Sequence, residues 1–207
     1  MMAVTSSKAY EYCKNSIRKK TTPRYVKAQM RDWMRIAEGK DDKYFVSEKK
    51  VQQIENILKL LIMPKGLKAG QSMYKCATGY QWLIYTAVLC TVYRDNPKKR
   101  RYETGLLEIC RKNFKTYTVG TIFIILFLTE PRFSKFYSVA PDGAISKEIK
   151  EAISDTIKSS PLIYEYKGTK RFKLLRDYIK FKPNENTLIP LAYSNNRMDS
   201  RMPNAFI

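Results

Sequence analysis

The pattern of apolar and polar positions predicts helices in the first part of the chain, to about residue 75. One helix is expected from about residue 6 to residue 19. A second begins after Thr22 and Pro23, because a capping hydroxyl and a first-turn proline favour a helix start, and it ends at Gly39. Its apolar residues recur at spacings of 4, 3 and 4, which places them on one face: Val26, Met30, Trp33 and Ala37.

A third helix is predicted between Ser47, a candidate cap, and the pair Pro64 and Gly66, which stop it. Its apolar positions have a similar helical period: Val51, Ile54, Leu58, Leu61 and Ile62. We therefore expect residues 1–77 to form a basic helical region, followed by a second region at residues 78–207 in which helices and strands alternate.

The first half of that second region contains two apolar helices and two strands by pattern. In chain order we predict a helix at residues 79–93, a turn at 95–97, a strand at 104–110 (TGLLEIC), a loop at 111–114, an apolar helix at 115–129 and a strand at 133–140.

The second half predicts a turn, a helix, a hairpin and a final strand. The turn is at residues 141–143, the hairpin joins 178–182 to 187–191, and the last strand begins at 205–207. The helix at 144–159 is amphipathic, with its apolar side at Ile145, Ile149, Ala152, Ile153 and Ile157. Alternation of strand and helix implies an α/β fold with a parallel sheet and helices on both faces.

Two very apolar stretches, residues 82–93 and 122–128, raise the question of membrane insertion. Both are shorter than the roughly 20 residues that a spanning helix needs. Charged residues flank both closely. Buried helices of a soluble core are the favoured interpretation, with membrane insertion as the minor alternative.

The amino-acid composition excludes several classes of active site and indicates a class of binding partner. The 207 residues include 39 Lys and Arg, 19 Asp and Glu and no His, which gives a net charge of +20. The absence of His excludes Ser-His-Asp and Cys-His nucleophiles, His-ligated zinc and a His pH switch. A folded, strongly basic chain points to a polyanionic partner, which could be a nucleic acid, an anionic membrane or a phosphorylated ligand.

The cysteines and the polar start of the chain favour a cytosolic setting. The four cysteines lie far apart, which argues against zinc ligation: Cys13, Cys76, Cys90 and Cys110. Residues 1–20 lack the apolar core of a signal peptide, so reduced thiols are expected.

The helical start is the most basic long segment. Residues 1–40 hold ten Lys or Arg and three acids. Two interpretations remain open, a solvated helix face or a surface that contacts DNA or a protein partner.

The candidate chemistry lies where the predicted strand at 104–110 meets the helix at 115. A phosphate-binding loop occupies such a junction and follows the pattern G-x-x-x-x-G-K-[ST]. Lys115 and Thr116 match the final pair, whereas Ile109 and Phe114 occupy the glycine positions. By itself the motif is a weak signal and favours an ordinary strand-to-helix turn with solvated charges.

The order of features around this junction is more specific. Along the chain they are Gln81 on a helix, the basic run Lys98-Lys99-Arg100-Arg101, the segment Arg111-Lys112-Asn113-x-Lys115-Thr116, a strand ending in Ala140, the pair Ser160-Pro161, and a tail at residues 192–203 leading into the apolar residues 205–207. In this order the chain resembles the large subunit of tailed-phage terminases, the motor that packages viral DNA. The resemblance is clearest from residue 79 to residue 207.

The resemblance implies a P-loop ATPase fold with an N-terminal helical extension, and ATP and Mg²⁺ as cofactors. It implies that Lys115 holds the β- and γ-phosphates, that Thr116 ligates Mg²⁺ and that Gln81 recognises adenine. Arg111 or Lys112 would neutralise charge on the γ-phosphate, with Asn113 in the same loop. The basic run at residues 98–101 would contact nucleic acid.

The resemblance also implies partners and a location. The partners are double-stranded DNA, the portal and the small terminase subunit, in a ring oligomer and with no membrane. The location is the cytoplasm of an infected bacterial host.

Two departures from the family pattern shape what we expect. Phe114 replaces a glycine, so its side chain is expected to crowd the phosphates and to disfavour a positive φ. The sequence stops at Ile207, where the Walker B Asp-Glu pair would follow, so this chain alone is not expected to hydrolyse ATP efficiently. Two alternatives stay open, a non-enzymatic basic module that binds DNA or a protein partner, and a basic α/β protein unrelated to terminases.

Overall fold

The computed structural model describes residues 4–110, 112–192 and 204–206, and within them it contains eight helices and nine strands. The chain forms two compact units, Met1–Asn56 with Ala77–Glu108 and Ile57–Cys76 with Ile109–Ile207. The chain passes between the units at three places. These places are after Asn56, after Cys76 and after Glu108, and the division into residues 1–77 and 78–207 stays a prediction.

The first unit is mainly helical. Its elements are α1 (Lys8–Arg18), α2 (Arg24–Ala37), β1 (Tyr44–Val46), the first part of α3 (Glu48–Leu60), α5 (Gly79–Cys90) and β2 (Thr91–Tyr93). Helix α1 packs against both α2 and α5, and β1 pairs with β2 in an antiparallel ribbon. Trp33 is buried at the centre, and its indole nitrogen donates a 3.2 Å hydrogen bond to Oγ1 of Thr91.

Several predictions for these elements are confirmed and others are wrong. Helices α1 and α2 lie where the sequence predicts them, and Ser47 caps α3. Helix α3 ends at Leu60, so Leu61 and Ile62 lie outside the helix, which the sequence predicts to continue to Pro64. Thr22 does not cap α2, because its hydroxyl donates to the carbonyl of Ser16 at the end of α1. The helix predicted at 79–93 ends at Cys90, since Thr91 turns extended and begins β2.

The second unit contains the end of α3 and a five-stranded sheet with its helices. Its other elements are α4 (Met73–Cys76), α6 (Lys115–Thr129), β3 (Lys135–Ala140), α7 (Gly143–Lys158), α8 (Pro161–Tyr164), β4 (Glu165–Tyr166), β5 (Thr169–Lys170), β6 (Phe172–Leu174), β7 (Ile179–Phe181), β8 (Asn186–Ala192) and β9 (Ala205–Phe206).

The sheet is mixed and its order is β6-β7-β8-β3-β9. Strand β3 pairs in parallel with β8 and β9, whereas β6, β7 and β8 form an antiparallel meander. The predicted parallel sheet is therefore correct for β3, β8 and β9 only, because the confirmed hairpin before β8 adds antiparallel strands. Strands β4 and β5 form a separate small hairpin.

Buried polar contacts join the ends of these elements. Asn186, at the start of β8, is fully buried. Its Oδ1 accepts the N–H of Ser134 at 2.9 Å, and its Nδ2 donates to the carbonyl of Phe127 at 3.2 Å. This side chain ties the end of α6 to the starts of β3 and β8, and it satisfies backbone groups that water does not reach.

Helices α6 and α7 pack on the same face of the sheet. Phe136 of β3 contacts the rings of Phe123 and Phe127 of α6, and Ser138, two residues on, donates to the carbonyl of Ser146 in α7. Side chains two apart on a strand point to one face. The predicted placement of helices on both faces is therefore wrong for this pair.

The strand predicted at residues 104–110 is not present. The segment is irregular, and Leu106 is 93% exposed. No strand of the described sheet pairs with this segment. A run of apolar residues is therefore not sufficient to predict a strand here. A smaller correction concerns α7, where Ile145 is exposed although the period places it on the apolar side.

The first apolar stretch lies in helix α5 and strand β2, and the second lies in helix α6; the two helices have 12 and 15 residues. Across the described ranges, none of the helices combines the length and the apolar character that crossing a membrane requires.

Candidate functional site

The loop before α6 has an unusual backbone. Lys112 has a φ of 65° and Phe114 has a φ of 55° with a ψ of 30°, both in the left-handed region. Phe114 therefore adopts a positive φ although its side chain disfavours that conformation. Phe114 adopts the conformation that glycine usually supplies, at a strain of about 1–2 kcal/mol.

Local contacts hold Phe114 in this conformation. Its carbonyl accepts both the backbone N–H and the hydroxyl of Thr118, each at 2.9 Å. Its ring is half exposed and lies beside Gly66, where an added Cβ would be 3.9 Å from the ring, and at 6.5 Å from the ring of Tyr117. The ring of Phe114 therefore lies next to the loop that contains Gly66.

The amino end of α6 is open to an anion. Phe114 is its N-cap and makes no side-chain capping hydrogen bond, so the N–H groups of the first turn have no partner within the helix. An open depression of about 350 Å³ lies at this end, lined by Lys112, Phe114, Lys115, Thr116 and Tyr117. The helix dipole and the outward N–H groups both favour a negative ligand there.

The side chains around the depression add positive charge. Lys112 and Lys115 are exposed and Thr116 is half buried. Within the described residues, neither lysine has a carboxylate at ion-pair distance, whereas Lys65 of the same unit pairs with Asp155 at 2.6 Å. The hydrogen bond and the attraction to Asp155 raise the pKa of Lys65. Lys112 and Lys115 therefore remain the cations available to a bound phosphate.

The cofactor implied by the resemblance can be tested against these residues. The uncapped helix end, two cations and a hydroxyl match a phosphate chain. Mg²⁺ would take one protein ligand here, Thr116, and its remaining ligands from phosphate and water, as this ion often does. Over the described part of the chain, no group of three or more Asp, Glu, Cys or His could hold a metal ion by itself.

Some predicted site residues lie outside the described residues. These are Arg111 and the tail at residues 193–203, together with Ile207. Their roles stay predictions. Asn113 is described, and its Nδ2 donates to the carbonyl of Cys110 at 3.3 Å, which supports the loop.

Gln81 has a structural role in the first unit. It is buried, and its Oε1 accepts the backbone N–H of Thr78 at 2.8 Å, as the partner in a capping box at the start of α5. Gln81 is thus not a surface amide, and its carbonyl oxygen is already engaged in the capping box. Adenine recognition by Gln81 remains a prediction.

The basic run at residues 98–101 returns alongside β2 as an irregular segment with one isolated bridge. Arg100 bridges to Val92, and the carbonyl of Lys99 accepts the N–H of Tyr93. Lys98 is exposed, Lys99 pairs with Glu103 at 3.1 Å, and Arg101 pairs with Asp32 at 2.7 Å. Much of the charge of this run is therefore compensated within the unit.

Sequence reasoning missed the left-handed conformation of Phe114, because aromatic residues rarely adopt it and nothing local signals it. It also missed that residues 12–31 contain cations but no acid, a feature that a sliding charge count would have found.

Comparison with known proteins gives no matching family model, no matching curated protein and no matching solved structure. The function is therefore inferred from the geometry of this chain and from the resemblance in its motif order.

Proposed function

We propose that the chain is the ATPase-domain part of a viral terminase large subunit, which packages double-stranded DNA, and that the loop before α6 binds the phosphates of ATP. The observation that carries the proposal is the left-handed Phe114 directly before Lys115 and Thr116 at the uncapped start of α6. A P-loop needs a backbone turn at this position, and the chain makes the turn without glycine.

The residues of the loop then have separate tasks. The N–H groups of the first turn of α6 surround the β-phosphate, and the ammonium group of Lys115 neutralises the β- and γ-phosphates. The hydroxyl of Thr116 would hold Mg²⁺, which would supply positive charge to the phosphates. Lys112 adds a second cation at the open side, and Arg111 completes the set by resemblance.

A second candidate is a basic module that binds a polyanion without nucleotide chemistry. The irregular segment at residues 104–110 favours it, because a P-loop normally follows a strand. The two candidates differ in whether Lys115 is needed for binding ATP. The portal, the small subunit and a ring assembly belong to the first candidate.

The test is a titration of the whole chain with a fluorescent ATP analogue and Mg²⁺. We expect Lys115→Ala to weaken binding by about tenfold or more, because a charge-assisted contact to phosphate is lost. The matched control is Lys158→Ala, an exposed lysine at the end of α7. Equal affinities for Lys115→Ala and the unmodified chain would reject the site and favour the second candidate.

A further inference from the structure

The strongest uncompensated charge outside the candidate site lies in the first unit. Between residues 12 and 31 the chain carries seven cations and no acid. Six of them are exposed and Lys27 is half buried; the seven are Lys14, Arg18, Lys19, Lys20, Arg24, Lys27 and Arg31. We call these seven residues the α1–α2 basic surface.

The helical geometry collects these side chains on the outer faces. Arg24, Lys27 and Arg31 lie at i, i+3 and i+7 of α2, which is one stripe. The stripe is opposite the face that buries Trp33 and Ile36. Lys14 and Arg18 are one turn apart near the end of α1, and Lys19 and Lys20 occupy the connection between the helices.

The positive charges of the α1–α2 basic surface are not compensated by carboxylates within the described residues. In the described part of the chain none of the seven forms an ion pair or stacks on an aromatic ring, whereas other cations of the same unit do: Arg35 with Asp32 and Asp41, Lys40 with Glu38, and Arg101 with Asp32. Tyr25 lies beside the stripe and is 81% exposed. A surface that retains seven uncompensated cations attracts a dense polyanion.

We propose that the α1–α2 basic surface binds the phosphate backbone of duplex DNA. The choice of duplex DNA rests on the proposed function, whereas the surface itself follows from the charges. A membrane fits less well, because an interfacial helix needs a free apolar face and α2 buries that face inside the unit. The basic run at residues 98–101 has a smaller share of uncompensated charge and is not the main contact.

The experiment measures anisotropy of a short fluorescent DNA duplex with the whole chain over a salt series. The variant is Arg24→Gln with Lys27→Gln and Arg31→Gln, since Gln keeps helix propensity. The control removes three exposed cations elsewhere, Lys49→Gln with Lys158→Gln and Lys173→Gln. We expect the α2 variant to bind at least about tenfold more weakly, with a salt slope smaller by roughly 0.9 per lost phosphate contact.

Three outcomes would overturn the proposal. These are equal affinities for the α2 variant and the control, a larger loss on Lys98→Gln with Lys99→Gln, or tighter binding to phosphatidylserine vesicles that the α2 variant abolishes. Circular dichroism of each variant establishes that it is folded. Nucleotide binding separates the two proposals: we expect the α2 variant to keep its affinity for ATP, and Lys115→Ala to keep its affinity for DNA.

Discussion

Arg101 donates a 2.7 Å hydrogen bond from Nη2 to Oδ2 of Asp32, across 69 residues of chain. Its guanidinium also stacks on the ring of Tyr44 at 4.7 Å, and its side chain is only 21% exposed. The last cation of the basic run therefore links α2, β1 and the segment after β2. These contacts of Arg101 stabilise the first unit.

We expect Arg101→Ala to lower the free energy of unfolding by about 1–3 kcal/mol, because it leaves Asp32 without this donor and removes a stacked side chain. Lys98→Ala, in the same run but exposed, should change the stability by no more than about 0.5 kcal/mol. Urea denaturation of both variants measures the difference. If both variants change the free energy of unfolding by equally small amounts, then the contacts of Arg101 do not stabilise the first unit.

The conformation of Phe114 gives a test of the phosphate site that does not remove a charge. We expect Phe114→Gly and Phe114→Ala both to raise the affinity for ATP, because each removes the ring at the approach to the helix end. The two variants differ in stability, since glycine adopts a positive φ without strain whereas alanine keeps a Cβ in the left-handed conformation. We expect the free energy of unfolding to be about 1 kcal/mol higher for Gly than for Ala, and urea denaturation measures this difference.

The nucleotide titration described for Lys115 measures these affinities. If Gly and Ala bind ATP equally, then backbone strain has no part in binding, and the ring alone determines access. If both bind more weakly than the unmodified chain, then Phe114 itself contacts the nucleotide.

The sequence predicts the helices well, because apolar spacing along a helix directly reflects the buried face. Helix α6 begins at Lys115 and ends at Thr129, as predicted. The strand at residues 104–110 fails for a different reason. A short apolar run becomes a strand only when a neighbour pairs with its backbone, and pairing depends on distant residues that local pattern does not contain.

The candidate site was predictable in part. Lys115 and Thr116 are found at the start of a helix as their motif requires, yet the backbone turn before them is made by Phe114, which no glycine pattern identifies. For Gln81, in contrast, the sequence contains the local signal that explains its observed position. The resemblance implies that it recognises adenine, whereas its position three residues after Thr78 is the signature of a capping box.

Asp41 is expected to make the stability of the first unit depend on acid pH. It is buried, its Oδ1 accepts the N–H groups of Lys43 and Tyr44 at 2.9 and 2.7 Å, and its Oδ2 accepts from Arg35. Burial alone would raise its pKa, but these donors outweigh burial and hold the pKa below its usual value. Its stabilisation is therefore present above the unfolded pKa of about 3.9 and is lost as the pH falls through the lower folded value.

Asp41→Asn tests this pH dependence. We expect it to lower the free energy of unfolding by about 1–3 kcal/mol at pH 7, and the difference from the unmodified chain to shrink below about pH 4. Asp42→Asn, an exposed neighbour, serves as control and should change stability by less than about 0.5 kcal/mol. A deficit for Asp41→Asn that is constant from pH 7 to pH 3 would contradict the account.

The reactivity of the thiols provides an independent measure of how accessible Cys110 is, next to the loop before α6. Cys110 is exposed, whereas Cys13, Cys76 and Cys90 are buried, and burial raises the pKa of Cys13 and of Cys90 to about 12. We expect one thiol per native chain to react rapidly with a disulfide reagent, because thiolate and access are both required. Cys110→Ser should abolish the fast phase, and ATP with Mg²⁺ should slow it in the unmodified chain. Several fast thiols per folded chain would contradict the described burial.

The close approach of α1 and α5 depends on Gly79, the first residue of α5. An added Cβ would lie 2.1 Å from Cδ2 and 2.5 Å from Cγ of Tyr12, which is far inside contact distance. Because Cγ is near the backbone, the ring cannot simply rotate away, and α1 must shift. We expect Gly79→Ala to lower the free energy of unfolding by about 1–3 kcal/mol, although alanine is the better helix former.

A double-mutant cycle separates this clash from a change in helix propensity. In a Tyr12→Ala background the obstructing ring is gone, so adding Gly79→Ala should cost nothing or stabilise the chain by up to about 1 kcal/mol. Gly105→Ala is the control, because no atom lies within 4 Å of its added Cβ. Urea denaturation of the four variants gives the coupling energy. An equal cost of Gly79→Ala in both backgrounds would mean that Tyr12 is not the obstacle and that α1 packs against α5 differently.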